Sequence, residues 1–497
     1  MTFKRFAAVV TVIIAAAFTA QARYADILKI RRANSGIAAL RSMSDGEHYT
    51  TLEGKSIVRT AYADRNDRTT LFTAPFAVAD YIFSADNSMV LLAQASTVKP
   101  IYRHSFTADY LLMGGSKEVT FNAVRDITFS NNNRTIAYCK QNNLYLYDLE
   151  SEQTTAVTDD GCWNRVINAT SDWVYEEEYG FTKAYAFSND GNKIAYLRFD
   201  ESAVPTFEMM RFDDKLYNKA YSFKYPKAGD SNSTVELWLY DIPSATKQKI
   251  DVGQQSDQYI FNISWTPAGE LYFYRVNRLQ NHFEVVLCRA NGEQRVIYSE
   301  SSPRYVERPS SSTVTFIDGK RFIVREETTT GWMHLYLHST DKGRIGAITS
   351  GRWEVTSLEG FDGKCLYYTS TERSELERDL YSVRLNGKGK RLLTEQNGFN
   401  TISPSVGMKY YVRTFTNTDT PSIITVHSAD GRTIDTLADR RATVAAAGVL
   451  AKREFRKFVT ERGDTLNYYI QLPIDYDPSK LYPVLLTQYS GPGSQSV

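Results

Sequence analysis

Three consecutive carboxylates, Glu176-Glu177-Glu178, follow two large aromatics in the segment Asp172-Trp173-Val174-Tyr175-Glu176-Glu177-Glu178. Like charges this close repel, by about 1 kcal/mol per pair at 4 Å in water and about 4 kcal/mol in a partly shielded site. The arrangement calls for a cation or for open water. If Trp173 and Tyr175 are buried, they anchor the segment and hold a carboxylate pair away from bulk solvent, as a receptor for an ammonium group. A charge run alone is more often a solvated acidic turn, so the rest of the chain has to decide.

The chain has 497 residues, enough for more than one domain. Its 58 basic and 57 acidic residues nearly cancel, which argues against a nucleic-acid partner. Aromatics make up 13%, and with few long helical patterns they favour strands. The four cysteines, Cys139, Cys162, Cys288 and Cys365, are widely spaced and form no metal motif. They read mostly as buried free thiols, with a Cys139–Cys162 pairing left open. Neither a metal nor a cofactor is expected. His334 and His338 are four apart, but Leu335-Tyr336-Leu337 between them reads as a strand, not as a metal-binding helix.

At the N-terminus, Lys4 and Arg5 precede an apolar run over 7–18 and the small-residue site Ala20-Gln21-Ala22. This is the pattern of a secretory signal peptide, residues 1–22, with an apolar run too short to span a bilayer. The expected location is outside the cytoplasm, in a bacterial periplasm, with no membrane span after cleavage. Residues 23–45 carry a helical spacing of apolar side chains, from Ile27 to Met43.

From 46 onward short alternating strands are punctuated by a recurrent turn. It reads Ser84-Ala85-Asp86-Asn87, Ser130-Asn131-Asn132, Ser188-Asn189-Asp190-Gly191 and Thr266-Pro267-Ala268-Gly269. Weaker copies sit at Ile317, Asp362 and Ser405, and a degenerate first copy near Glu53-Gly54-Lys55. A basic period near 45 residues with insertions is the signature of a β-propeller of four-stranded blades. One insertion contains the acidic segment. Another, an arm over 204–231 rich in Met and aromatic residues, suggests a partner surface. Past about 440 the repeat stops, and Val484–Leu486 reads as a fully buried strand of a parallel sheet.

Together these stretches resemble the dipeptidyl peptidase IV family of serine peptidases, of the prolyl oligopeptidase clan, over nearly all of the expected mature chain. Trp173–Glu178 looks like the family's double-Glu motif, and Tyr102-Arg103-His104-Ser105-Phe106-Thr107-Ala108 like its propeller arginine segment. Tyr225-Pro226-Lys227-Ala228-Gly229 and Gly351-Arg352-Trp353-Glu354-Val355 match further landmarks, and Tyr489-Ser490-Gly491-Pro492-Gly493-Ser494-Gln495 looks like the oxyanion-tyrosine loop. The resemblance implies a mainly β fold: an eight-bladed propeller over 46–444, then the start of an α/β-hydrolase domain over 445–497, against which 23–45 packs. It implies removal of X-Pro or X-Ala dipeptides from peptides with a free N-terminus. Glu177 and Glu178 would hold the substrate amine, Arg103 would orient them and contact carbonyl oxygens, and Arg308 would be a second pocket arginine. Tyr489 would donate to the oxyanion. Homodimerisation through the 204–231 arm is also implied.

The family's Gly-x-Ser-x-Gly nucleophile elbow, with its later Asp and His, is absent from the sequence. The expectation is a chain cut off early in the hydrolase domain, inactive by itself. The alternative is a non-catalytic propeller that binds peptides or a partner.

Overall fold

The computed structural model describes residues 25, 27–115, 117–212, 216–289, 292–448 and 451–489. The signal segment 1–22 lies outside the described residues. Strands dominate, arranged as eight consecutive antiparallel units of four strands, the fourth unit having a fifth short strand. The first spans Arg41 to Thr73 and the last Phe399 to Asp439. The second and third share the long strand Val119–Phe129 and so form one continuous sheet. Eight such units make the propeller that the repeat predicts.

The recurrent turn has one structural meaning. In each unit it closes the hairpin between the first two strands, and its anchor residue donates its backbone N–H back across the hairpin. Ser84 donates to the carbonyl of Met89 (3.0 Å), Ser130 to Thr135 (2.7 Å), Ser188 to Lys193 (2.9 Å), Thr266 to Glu270 (2.8 Å) and Ser405 to Tyr410 (2.9 Å). The anchor serines are buried, and the hydroxyls of Ser84, Ser130 and Ser188 bind the Asx side chain two residues on, as Ser84 does with Asp86 (2.7 Å) and Ser130 with Asn132 (2.7 Å). Asparagines beside the anchors then stitch neighbouring units. Asn131 donates to the Ser188 carbonyl (2.9 Å) and Asn189 to the Thr266 carbonyl (2.8 Å).

Two expectations are corrected here. The first copy of the turn is not at Glu53-Gly54-Lys55 but at Met43–Gly46, where Met43 donates to the His48 carbonyl at 2.9 Å. Glu53-Gly54-Lys55 closes the second hairpin of the same unit. Among the described residues, the helical spacing over 23–45 is realised at 25 and 27–33 only. Arg41–Ser42 is a strand, and Leu40 packs with Tyr49, Tyr62 and Val412 where the first and last units meet.

That meeting closes the ring. Val406 N–H donates to Ser42 Oγ (3.0 Å), Arg65 pairs with Asp435 (3.4 Å), Lys409 pairs with Glu47, and the rings of Tyr62 and Tyr410 stack at 5.4 Å. Gly46 is required at this point. Its φ is +66°, and a Cβ there would lie 2.2 Å from the Val406 carbonyl oxygen.

The 204–231 arm carries a separate two-stranded hairpin, Thr206–Arg211 with Lys219–Lys224. After the ring come a short helix, Arg441–Ala447, and a hairpin, Arg453–Val459 with Thr465–Gln471. Val484–Leu486 is not a buried strand. All three side chains are more than four-fifths exposed, and no strand among the described residues pairs with the segment. A parallel strand exists only when neighbours supply its hydrogen bonds. The four cysteines are free, but only Cys139 is buried outright, and Cys162 is exposed.

Candidate active site

The acidic segment is a helix, Trp173–Tyr179, and not a turn. Asp172 caps it: its backbone is extended and its Oδ1 accepts from the Tyr175 N–H at 2.9 Å. Gly180, at φ 72°, ends it in the left-handed conformation. Asp172 is buried, and its other oxygen accepts from Ser233 Oγ at 2.5 Å. Burial pushes its carboxyl upward, and the hydrogen bonds from Ser233 and the helix act against that. Tyr175 locks the helix from below. It packs on Tyr179, Phe181, Phe199 and Tyr259, and its hydroxyl accepts from the Ile260 N–H at 3.0 Å.

Successive helical residues point about 100° apart, so the three carboxylates fan out to three destinations. Glu176 turns inward and is 1% exposed. Its Oε1 accepts from two backbone N–H groups, His104 at 2.7 Å and Ser105 at 2.9 Å. It thereby ties the 101–105 loop to the helix. Glu177 meets Arg103 of that loop, Nη1 to Oε1 at 2.8 Å. Glu178 meets Arg308, Nη1 to Oε2 at 3.0 Å, across the 302–313 connection between the fifth and sixth units. The structure therefore brings four of the five expected residues together: Glu177, Glu178, Arg103 and Arg308. The fifth, Tyr489, is 83% exposed and makes no hydrogen bond to any of them.

Glu176 carries no role in the sequence reading, yet it positions Arg103. Nothing in the triplet distinguishes it, because its partners are main-chain groups more than 70 residues away. The arm hairpin also belongs to the support. Tyr221 donates its hydroxyl to the Ile101 carbonyl at 3.0 Å, and Phe223 packs on Tyr102 and Trp173. Trp163 closes the group against Tyr102 and Tyr221.

Both ion pairs face solvent. Arg103 is 71% exposed and Glu178 57%. Exposed pairs contribute only about 0–1 kcal/mol to stability, so they are available for other partners. Each carboxylate meets its arginine through one oxygen, leaving the other for a donor arriving between them. Beside the helix C-terminus a cavity of about 650 Å³ opens, lined by Tyr179, Gly180 and Phe181, by first strands of three units, and by Ser310 and Ser311 next to Arg308. Among the described residues no cluster of His, Cys, Asp and Glu could hold a metal, and no helix is long and apolar enough to cross a membrane.

Comparison with known proteins bears on this geometry. The family model described as "Dipeptidyl peptidase IV (DPP IV) N-terminal region" matches residues 84–422, which include Arg103, the acidic helix and Arg308. Dipeptidyl peptidase 4 of Trichophyton rubrum is 29% identical over 493 residues, covering 93% of this chain and 63% of its own length. The probable dipeptidyl peptidase 4 of Emericella nidulans is 29% identical over 497 residues. The chain thus spans 63% of the length of the first curated relatives. The crystal structure of Porphyromonas gingivalis dipeptidyl peptidase 4 superposes with a TM-score of 0.86 at 34% identity, over 93% of this chain and 68% of that one. With the family model matched over more than half of its residues, the chain belongs to the dipeptidyl peptidase IV family.

Proposed function

We propose that this chain supplies the amine-holding part of an exported serine dipeptidyl peptidase that releases X-Pro or X-Ala dipeptides from free peptide N-termini. The observation that carries the proposal is the pair Glu177 and Glu178 on one capped helix, each met by a single arginine and each with an oxygen to spare. A peptide's α-ammonium has three N–H donors and one positive charge, so it can bridge both carboxylates and relieve their repulsion. Pinning the amine fixes the register. The carbonyl two residues on is then the one presented for attack, which is what release of dipeptides requires. Arg103 holds Glu177 and has donors left in its fork for a substrate carbonyl. Tyr489 as oxyanion donor, and export through the 1–22 signal, rest on the family resemblance and the sequence pattern.

The test uses the chain itself and a Gly-Pro-initiated peptide, free or N-acetylated, with binding followed by calorimetry. The free peptide should bind at least tenfold more tightly, and added salt should reduce the difference. Equal affinities would end the amine-anchor role.

The arm is proposed as a homodimer contact. Its root packs on the Arg103 loop, while Met209, Met210, Phe212, Leu216 and Tyr217 toward its tip are exposed. A second copy of the same hairpin would cover them. Sedimentation at micromolar concentration should show a dimer that Met210→Glu dissociates; a monomeric wild type would refute this.

A further inference from the structure

A cleft of about 450 Å³ between the last strand of the fifth unit and the sixth unit holds a group of acidic side chains unconnected with the amine site. Tyr298 and Glu300 lie two residues apart on the strand Gln294–Ser301. Both are buried, as is Glu326 at the end of Arg321–Glu326 in the next unit. The Tyr298 hydroxyl stands 3.0 Å from Glu300 Oε2 and 2.9 Å from Glu326 Oε2. Both are hydrogen-bond distances. A tyrosine hydroxyl has one proton and can donate to only one of two carboxylates. The other contact needs a second proton, carried by a carboxyl group.

Glu326 is the wrong carrier. Both of its oxygens lie 2.6 Å from Arg344 Nη2, and it also accepts from the Thr329 hydroxyl. Glu300 has no cation paired with it among the described residues. Its Oε1 accepts from the Thr328 hydroxyl, and its neighbour across the strand is Phe283. Every carboxylate oxygen in this group already has a protein partner, so the carboxylates are short of a proton and not of a ligand.

We infer that Glu300 carries a proton and donates it to the Tyr298 hydroxyl, which donates in turn to Glu326, and that this relay of hydrogen bonds latches the fifth blade to the sixth. The charges around it agree. Burial first, and then the negative charges of Glu326 and Glu327, push the Glu300 carboxyl up to about 7, against its hydrogen-bond contacts with Tyr298 and Thr328. At Glu326 burial acts upward but is outweighed by Arg344, Thr329 and Tyr298, and the group falls below its usual range. His338, edge-on to the Tyr298 ring, is pushed down to about 4 by burial and by Arg344, so it stays neutral where Glu300 titrates. The strand bearing Tyr298 and Glu300 ends at Ser301 and leads directly into the connection that carries Arg308.

A carboxyl that binds its proton more tightly folded than unfolded favours the fold at low pH. That advantage is lost as pH rises from its ordinary 4.5 through about 7, and changes little beyond. Glu300→Gln keeps the shape and can donate to Tyr298 but cannot ionise. Melting temperatures of the full chain, wild type and E300Q, are compared between pH 5 and pH 8.5. Wild type should lose about 2 °C or more relative to E300Q across that range. A difference that stays constant with pH overturns the latch. The infrared carbonyl band of a protonated carboxylic acid, read at pH 6, provides a second measurement. Tyr298→Phe should shift it by removing its acceptor, and a spectrum unmoved by that change overturns the assignment even if E300Q does not fold.

Discussion

Replacing Glu177 or Glu178 by alanine, in a full-length peptidase carrying this segment, should lower kcat/KM on a Gly-Pro chromogenic substrate by about 10²–10³-fold. The size follows from removing one partner of a charge-assisted contact that the bound peptide covers, which costs about 2–5 kcal/mol when the other charge is left buried and unpaired, at about 1.4 kcal/mol per tenfold in rate. The loss should be larger at Glu177. It is 26% exposed against 57% for Glu178, and its removal also frees Arg103. Fold and melting temperature should stay close to wild type, because exposed pairs contribute little to stability. Unchanged kinetics in both variants would remove the pair from the mechanism.

Glu176→Ala should behave in the opposite way, damaging the fold and the site together. Two backbone N–H groups, of part-buried His104 and buried Ser105, would lose the acceptor that the buried Glu176 carboxylate supplies. Hydrogen bonds to a charged group contribute about 1.5–3 kcal/mol each, so a loss of roughly 3 kcal/mol or more is expected. The 101–105 loop would come away from the helix and take Arg103 with it. Denaturant unfolding should show the lost stability, and affinity for a free-amine peptide should fall at least tenfold although Glu176 does not face the ligand. Full stability in E176A would mean that the loop is held by Tyr221 and the aromatic group alone.

The two variants also separate what the sequence discloses from what it conceals. The ring was readable because the same turn recurs with the same hydrogen bond, and Ser, Asp and Asn leave a visible trace at most copies. The first copy was misplaced because Met43 has no hydroxyl, although its backbone makes the same contact. The carboxylate pair was readable from the triplet and its flanking aromatics. The helix was not, since seven residues are too few for a 3.6-residue period to declare itself. The inward role of Glu176 left no trace either, because a main-chain donor can belong to any residue type. Val484–Leu486 was misjudged for a related reason: apolar composition reports a preference for burial, but burial needs a partner sheet, and the described residues provide none there.

The joint between the first and last blades has a mechanical consequence. All strands of the first sheet come from 41–73 and all strands of the last from 399–439, so no main-chain ladder crosses between them. The circle behaves as a split washer, not as a welded hoop. Under heat or tension it should part first where Gly46 abuts Val406, whereas the second and third blades, woven through one shared strand, should separate last.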